Sequence, residues 1–64
     1  MNQENFKNMT RKQLVRYIVL NQYAKGLISI KHLGYQAKVR LDGGAGIKPQ
    51  TKEQLIKAAI AISE

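Results

Sequence analysis

Residues able to do covalent or acid–base chemistry are few in this chain and poorly matched to one another. The only histidine is His32 and the only serines are Ser29 and Ser63. A nucleophilic mechanism needs a base placed beside the nucleophile, and the spacing supplies none. The four acids, Glu4, Asp42, Glu53 and Glu64, are too scattered in sequence to form the carboxylate pair of an acid–base catalyst. One imidazole without cysteine cannot complete the three or four ligands of a zinc site within one chain. These residues point away from an enzyme and imply no metal, no cofactor and no small-molecule substrate. His32 is expected in a turn.

Glycine offers the next candidate chemistry. Gly43, Gly44 and Gly46 fall within four residues, and backbone N–H groups in such a loop can approach a phosphate. Neither familiar spacing is met. The third glycine of a dinucleotide fingerprint is missing, and Ile47, Lys48 and Pro49 follow where a P-loop requires Lys and then Ser or Thr.

The cations are the informative feature. Eleven Lys and Arg stand against four acids, a formal charge of +7 on 64 residues. Between residues 5 and 41 lie Lys7, Arg11, Lys12, Arg16, Lys25, Lys31, Lys38 and Arg40 with no acid among them. From residue 42 onward three lysines balance three acids. Clustered cations of this kind favour a polyanionic partner. The candidate nucleic-acid-binding residues are Lys12, Arg16, Lys31, Lys38 and Arg40. Tyr23 and Tyr35 lie among the charges, where an aromatic ring can stack on an unpaired base. DNA or RNA, bound through its backbone with little sequence selectivity, is the expected partner. The alternative is an acidic protein, or a second copy of the chain in a homodimer, with no nucleic-acid role.

Elements must hold these cations in place. Thr10 with Gln13, and Thr51 with Gln54, each fit a capping box, in which a threonine hydroxyl and a glutamine amide satisfy one another's backbone N–H. Helices are therefore expected over 10–25 and 51–63. The first places Leu14, Val15, Ile18 and Val19 on one side, and the second Leu55, Ile56, Ala59, Ile60 and Ile62. The two openings align at a spacing of 41, and their outer faces differ. Glu53 and Lys57 suit an i, i+4 pair, whereas Lys12 and Arg16 repel by a few tenths of a kcal/mol.

Between these helices, residues 33–41 alternate strictly, with apolar side chains at odd positions. Nine alternating residues favour a half-buried strand, and Ile28 and Ile30 offer it a partner across a turn near 31–34. Gly34 would cost a helix here about 1 kcal/mol, and Tyr35 and Val39 would fall on its wrong side. The expected fold is small α+β and mostly helical, two amphipathic helices flanking a hairpin over 27–41. An all-α three-helix domain is the competitor. Residues 42–50 read as a glycine-rich loop and 1–5 as frayed, all within one domain.

Asn5, Phe6, Met9, Thr10, Leu14, Tyr17 and Leu20 give the opening segment a resemblance to a group of small, uncharacterised cyanobacterial proteins. That group begins Asn-Phe-x-x-Met-Thr/Ser-x-x-Glu-Leu-x-x-Tyr-Val-Leu. Gln13 stands where the group has Glu, and its following acidic stretch is replaced by residues 21–25. The resemblance covers about a quarter of the chain and implies a helical N-terminal segment, with no function and no site residues.

Size and composition set the remaining bounds. Leu, Ile, Val and Phe number seventeen of 64, above the level at which high charge implies disorder. A chain this short buries only about 60% of its unfolded surface, so its core is thin. No apolar run approaches the roughly 20 residues of a spanning helix, and the first residues lack a signal-peptide pattern. No membrane partner and a cytoplasmic location are expected. A helix-turn-helix centred on Gly34 would bury Arg40 between helices too short for it.

Overall fold

A computed structural model describes residues 3–64, with side chains from residue 5 onward. Both capping boxes are formed, and each starts a helix. Thr10 Oγ1 accepts from the Gln13 N–H at 3.1 Å while the Thr10 N–H donates to Gln13 Oε1 at 2.9 Å. Thr51 and Gln54 repeat the exchange at 3.2 and 2.9 Å. These boxes open α2 (Arg11–Ala24) and α4 (Lys52–Ser63). Ahead of α2 the chain forms a short helix, α1 (Gln3–Lys7). The segment read as frayed is thus helical from Gln3 onward, while Met1 and Asn2 lie outside the described residues.

The hairpin expected over 27–41 is not formed. Residues Ile30–Asp42 are a helix, α3, and among the described residues the only β-type pairing is an isolated antiparallel bridge between Gly44 and Ile47. The fold is therefore an all-helical bundle of four helices. The physical reason is the absence of a sheet to join. A lone two-stranded hairpin is marginal in water, whereas a helix closes its own backbone hydrogen bonds and needs only one apolar side. Leu33, Ala37 and Leu41 supply that side at i, i+4 and i+8, each partly buried against the core. Tyr35 does point away from the core, 56% exposed. Its exposure and the glycine are tolerated because the helix closes its own interior backbone hydrogen bonds.

The core is built around α2, with α1 and α4 on one side and α3, facing Val15 and Val19, on the other. Phe6, Leu14, Val15, Ile18, Val19, Leu55 and Ala59 are buried, and no side chain of α3 joins them. Phe6 meets Tyr17 with ring centroids 5.3 Å apart and planes tilted by 57°, the oblique geometry aromatic pairs prefer. α2 is the central element, packed on α4 along one side and on α3 along the other, while α1 rests on α4.

Two glycines shape the connections. α2 ends in a Schellman motif: Gly26, at φ +75°, donates to the Tyr23 carbonyl at 3.0 Å, and the Leu27 N–H reaches the Gln22 carbonyl at 2.9 Å. Gly43 ends α3, also at φ +75°, where a Cβ would stand 2.4 Å from the Ile47 carbonyl oxygen. Only glycine fits there. The chain then closes the Gly44–Ile47 bridge and is fastened back onto α3 by the Gln50 N–H, which donates to the Arg40 carbonyl at 2.9 Å.

Candidate nucleic-acid interface

The eight cations between residues 5 and 41 divide into those that hold the fold and those left to solvent. Arg11, the first residue of α2, has a structural task. Its Nη2 donates to the Leu41 carbonyl at 2.8 Å and the Gln50 carbonyl at 2.7 Å, and its Nε donates to Gln50 again at 3.0 Å. It thereby joins the start of α2 to the end of α3 and to the segment entering α4. This contact also fixes the relative direction of the helices. With the start of α2 beside the end of α3, the two run antiparallel.

Lys25 reaches across to the last turn of α4, where its Nζ donates to the Ile62 carbonyl. A cation at a helix C-terminus also meets the negative end of the helix dipole. Arg40 is the third cation so employed. Its Nη1 donates to Gln50 Oε1 at 2.7 Å, its Nε is buried without a partner, and burial pulls its pKa below the ordinary arginine value. It was expected on the wet face of a strand. In the helix it turns half inward beside Gln50, which holds one end of its guanidinium.

The other four predicted residues are all exposed. Lys12 and Arg16 stand one turn apart on α2, and Lys31 and Lys38 stand two turns apart on α3. None of the four is hydrogen-bonded or ion-paired within the protein among the described residues. On α3 the spacing 31, 35, 38 puts Tyr35 on the same stripe as the two lysines. The structure therefore places a Lys–Tyr–Lys stripe on one helix and a Lys–Arg pair on its antiparallel neighbour. Tyr23 is exposed near the end of α2, and Lys7 is exposed at the end of α1.

Between the two helices runs a groove of about 350 Å³. Val15, Val19 and Leu20 of α2 face Leu33, Ala37 and Leu41 of α3 across it, and Lys12 and Arg16 form its rim on the α2 side. This groove has no counterpart in the sequence pattern. It forms between two helices, so a hairpin over 27–41 would not have shown it.

Ser29 and His32 correct a further expectation. Ser29 precedes α3 without capping it through its side chain, and its Oγ lies 2.6 Å from His32 Nδ1. The serine thus has an imidazole beside it. Both residues are exposed and no carboxylate orients the ring, so the pair closes the first turn of α3 in place of a capping box. In the glycine loop, the Gly44 and Ile47 N–H groups are spent on each other's carbonyls at 2.9 and 2.8 Å. Among the described residues no group of three or more acids or histidines could hold a metal ion, and no helix is long and apolar enough to cross a membrane. No protein-family model matches the chain, and neither a curated protein nor a solved structure matches it significantly.

Proposed function

We propose that this chain is a non-catalytic, basic binding module that takes nucleic acid with little sequence selectivity, through Lys12, Arg16, Lys31 and Lys38. One observation carries the reading: four cations without internal partners lie on two adjacent antiparallel helices, in a stretch of chain that holds no acid. Unpaired cations release counter-ions from a phosphate backbone without first breaking a contact of their own. Tyr35, between Lys31 and Lys38, adds a stacking surface that suits single strands as well as duplex. Arg40 supports the end of α3 and makes no phosphate contact in this reading. A cytoplasmic location belongs to the same proposal.

The test is a salt-series titration against mixed duplex and single-stranded DNA and RNA. Four duplex phosphate contacts predict a slope of log K against log salt near −3.6, about two orders of magnitude between 50 and 200 mM. The Lys31→Glu, Lys38→Glu double variant abolishes most of the binding and flattens the slope, while Arg40→Gln leaves the slope unchanged. Absence of binding at low salt rejects the proposal.

A further inference from the structure

We infer that the groove between α2 and α3 docks an acidic amphipathic helix of a partner protein. This inference shares Lys12 and Arg16 with the nucleic-acid reading and differs from it in resting on the apolar floor between the helices and not on the outer stripe of α3. Val15 and Val19, each 1% exposed, form the closed base of the groove, and Leu20 on one wall with the partly buried Leu33, Ala37 and Leu41 on the other supply its reachable apolar surface. Its volume of about 350 Å³ falls in the range of ligand-binding clefts. The apolar surface also extends beyond the groove. Leu20 is 44% exposed and Ile30 70% exposed, with Tyr23 and Leu27 exposed around the same α2–α3 connection.

Charge selects the occupant. Lys12 and Arg16 stand on the rim one turn apart and without partners, and no acid lies between residues 5 and 41. An apolar floor with a cationic edge is complementary to a helix that has one apolar side bordered by acids. From Lys12 to Leu20 the groove spans eight residues of α2, about 12 Å or two helical turns, which two or three apolar anchors would fill. A phosphate backbone gains nothing from the apolar floor. A second copy of this chain offers a poorer complement: Glu53 is the only acid in α4, it sits between Lys52 and Lys57, and Leu55 and Ala59 of that helix are already buried.

The experiment uses the full chain, isotope-labelled, titrated with a synthetic peptide of about 16 residues that places Leu at i, i+4 and i+7 and Glu at i+1 and i+5. A scrambled peptide of the same composition is the control. The expected result is saturable binding of the patterned peptide, with methyl shifts at Val15, Val19, Leu33 and Leu41. The scrambled peptide should bind at least about tenfold more weakly. Leu20→Ser, at an exposed position that the fold can spare, and the Lys12→Glu, Arg16→Glu double variant should each weaken the patterned peptide by about tenfold or more. Lys31→Glu with Lys38→Glu should leave it within about twofold, since those residues lie off the rim. Equal binding of the two peptides would reduce the effect to net charge and overturn the inference. So would a loss of nucleic-acid affinity in Leu20→Ser as large as its loss of peptide affinity, or the same methyl shifts on raising protein concentration alone, which would assign the groove to nucleic acid or to a second copy.

Discussion

α2 meets its two neighbours in different ways. Toward α4 it buries Leu14 and Ile18 with Leu55 and Ala59, and Phe6 of α1 joins the same cluster without exposure. Both α2 and α4 start with a threonine–glutamine box that fixes their first turns. Toward α3 the packing is only partial. No α3 side chain is fully buried, Ser29 does not cap the helix through its side chain, and an apolar groove remains between the helices. The cations divide in the same manner. Among the described residues 5–41, Arg11, Lys25 and Arg40 secure the ends of helices, and of those without partners Lys12, Arg16, Lys31 and Lys38 lie on α2 and α3 and Lys7 on α1. The α4 side of α2 is thus closed by fully buried residues of both helices, whereas on the α3 side only Val15 and Val19 of α2 are fully buried.

The sharpest way to break this comparison is to remove the same number of atoms from each side. Leu55→Ala, in the fully buried cluster, should cost about 3 kcal/mol, because a cavity opens where the surroundings cannot collapse. A domain of this length commands only about 3–10 kcal/mol in total, so the variant should lose most of its cooperative urea transition. Leu33→Ala, on the groove, should cost about 1 kcal/mol and keep that transition, since part of its side chain already faces solvent. Equal losses would mean that α3 is as tightly packed as α4, and the division would fail.

A finer cut separates two neighbouring cations. Arg11 donates to two backbone carbonyls, whereas Lys12 has no partner within the protein. Arg11→Met keeps most of the stem and removes every donor, leaving the Leu41 and Gln50 carbonyls short of a partner in a half-buried place. It should cost about 1–3 kcal/mol. Lys12→Met should stay within about 0.5 kcal/mol and weaken nucleic-acid binding instead. Urea unfolding of the two variants side by side reads the first effect, and a salt titration reads the second.

These pairs also explain what was legible from sequence. The starts of α2 and α4 could be read because a capping box is local: threonine and glutamine three residues apart satisfy each other in any surrounding. The segment 33–41 could not, because its apolar residues fit a period of two and, at positions 33, 37 and 41, a period near 3.6. What decides between them is global, namely that no further strand exists for a hairpin to join. Lys12, Arg16, Lys31 and Lys38 could be placed on the surface from charge alone. The withdrawal of Arg40 could not, because its partner Gln50 lies across the glycine loop, and the task of Arg11 depends on carbonyls 30 and 39 residues away. The groove was hidden for the same reason as α3 itself.

The smallest expected effect tests why α3 is the weaker neighbour. Gly34 lies inside the helix, and a Cβ built on it meets nothing within 4 Å. The glycine is therefore not required by a close approach or by its backbone conformation, unlike Gly43, whose Cβ would collide with the Ile47 carbonyl. An interior helical glycine costs about 1 kcal/mol relative to alanine, much of it through the freedom the unfolded chain gains. Gly34→Ala should accordingly stabilise the protein by about 0.5–1 kcal/mol, raising the melting temperature by a few degrees in a domain of this size. It should also slow amide exchange across residues 30–42 more than across α4, because the gain belongs to the helix that opens most easily. Destabilisation by this variant would mean that the backbone at residue 34 is not helical in solution. A uniform slowing of exchange in α3 and α4 alike would mean that the two sides of α2 open together, and that the loosely packed side has no separate stability to improve.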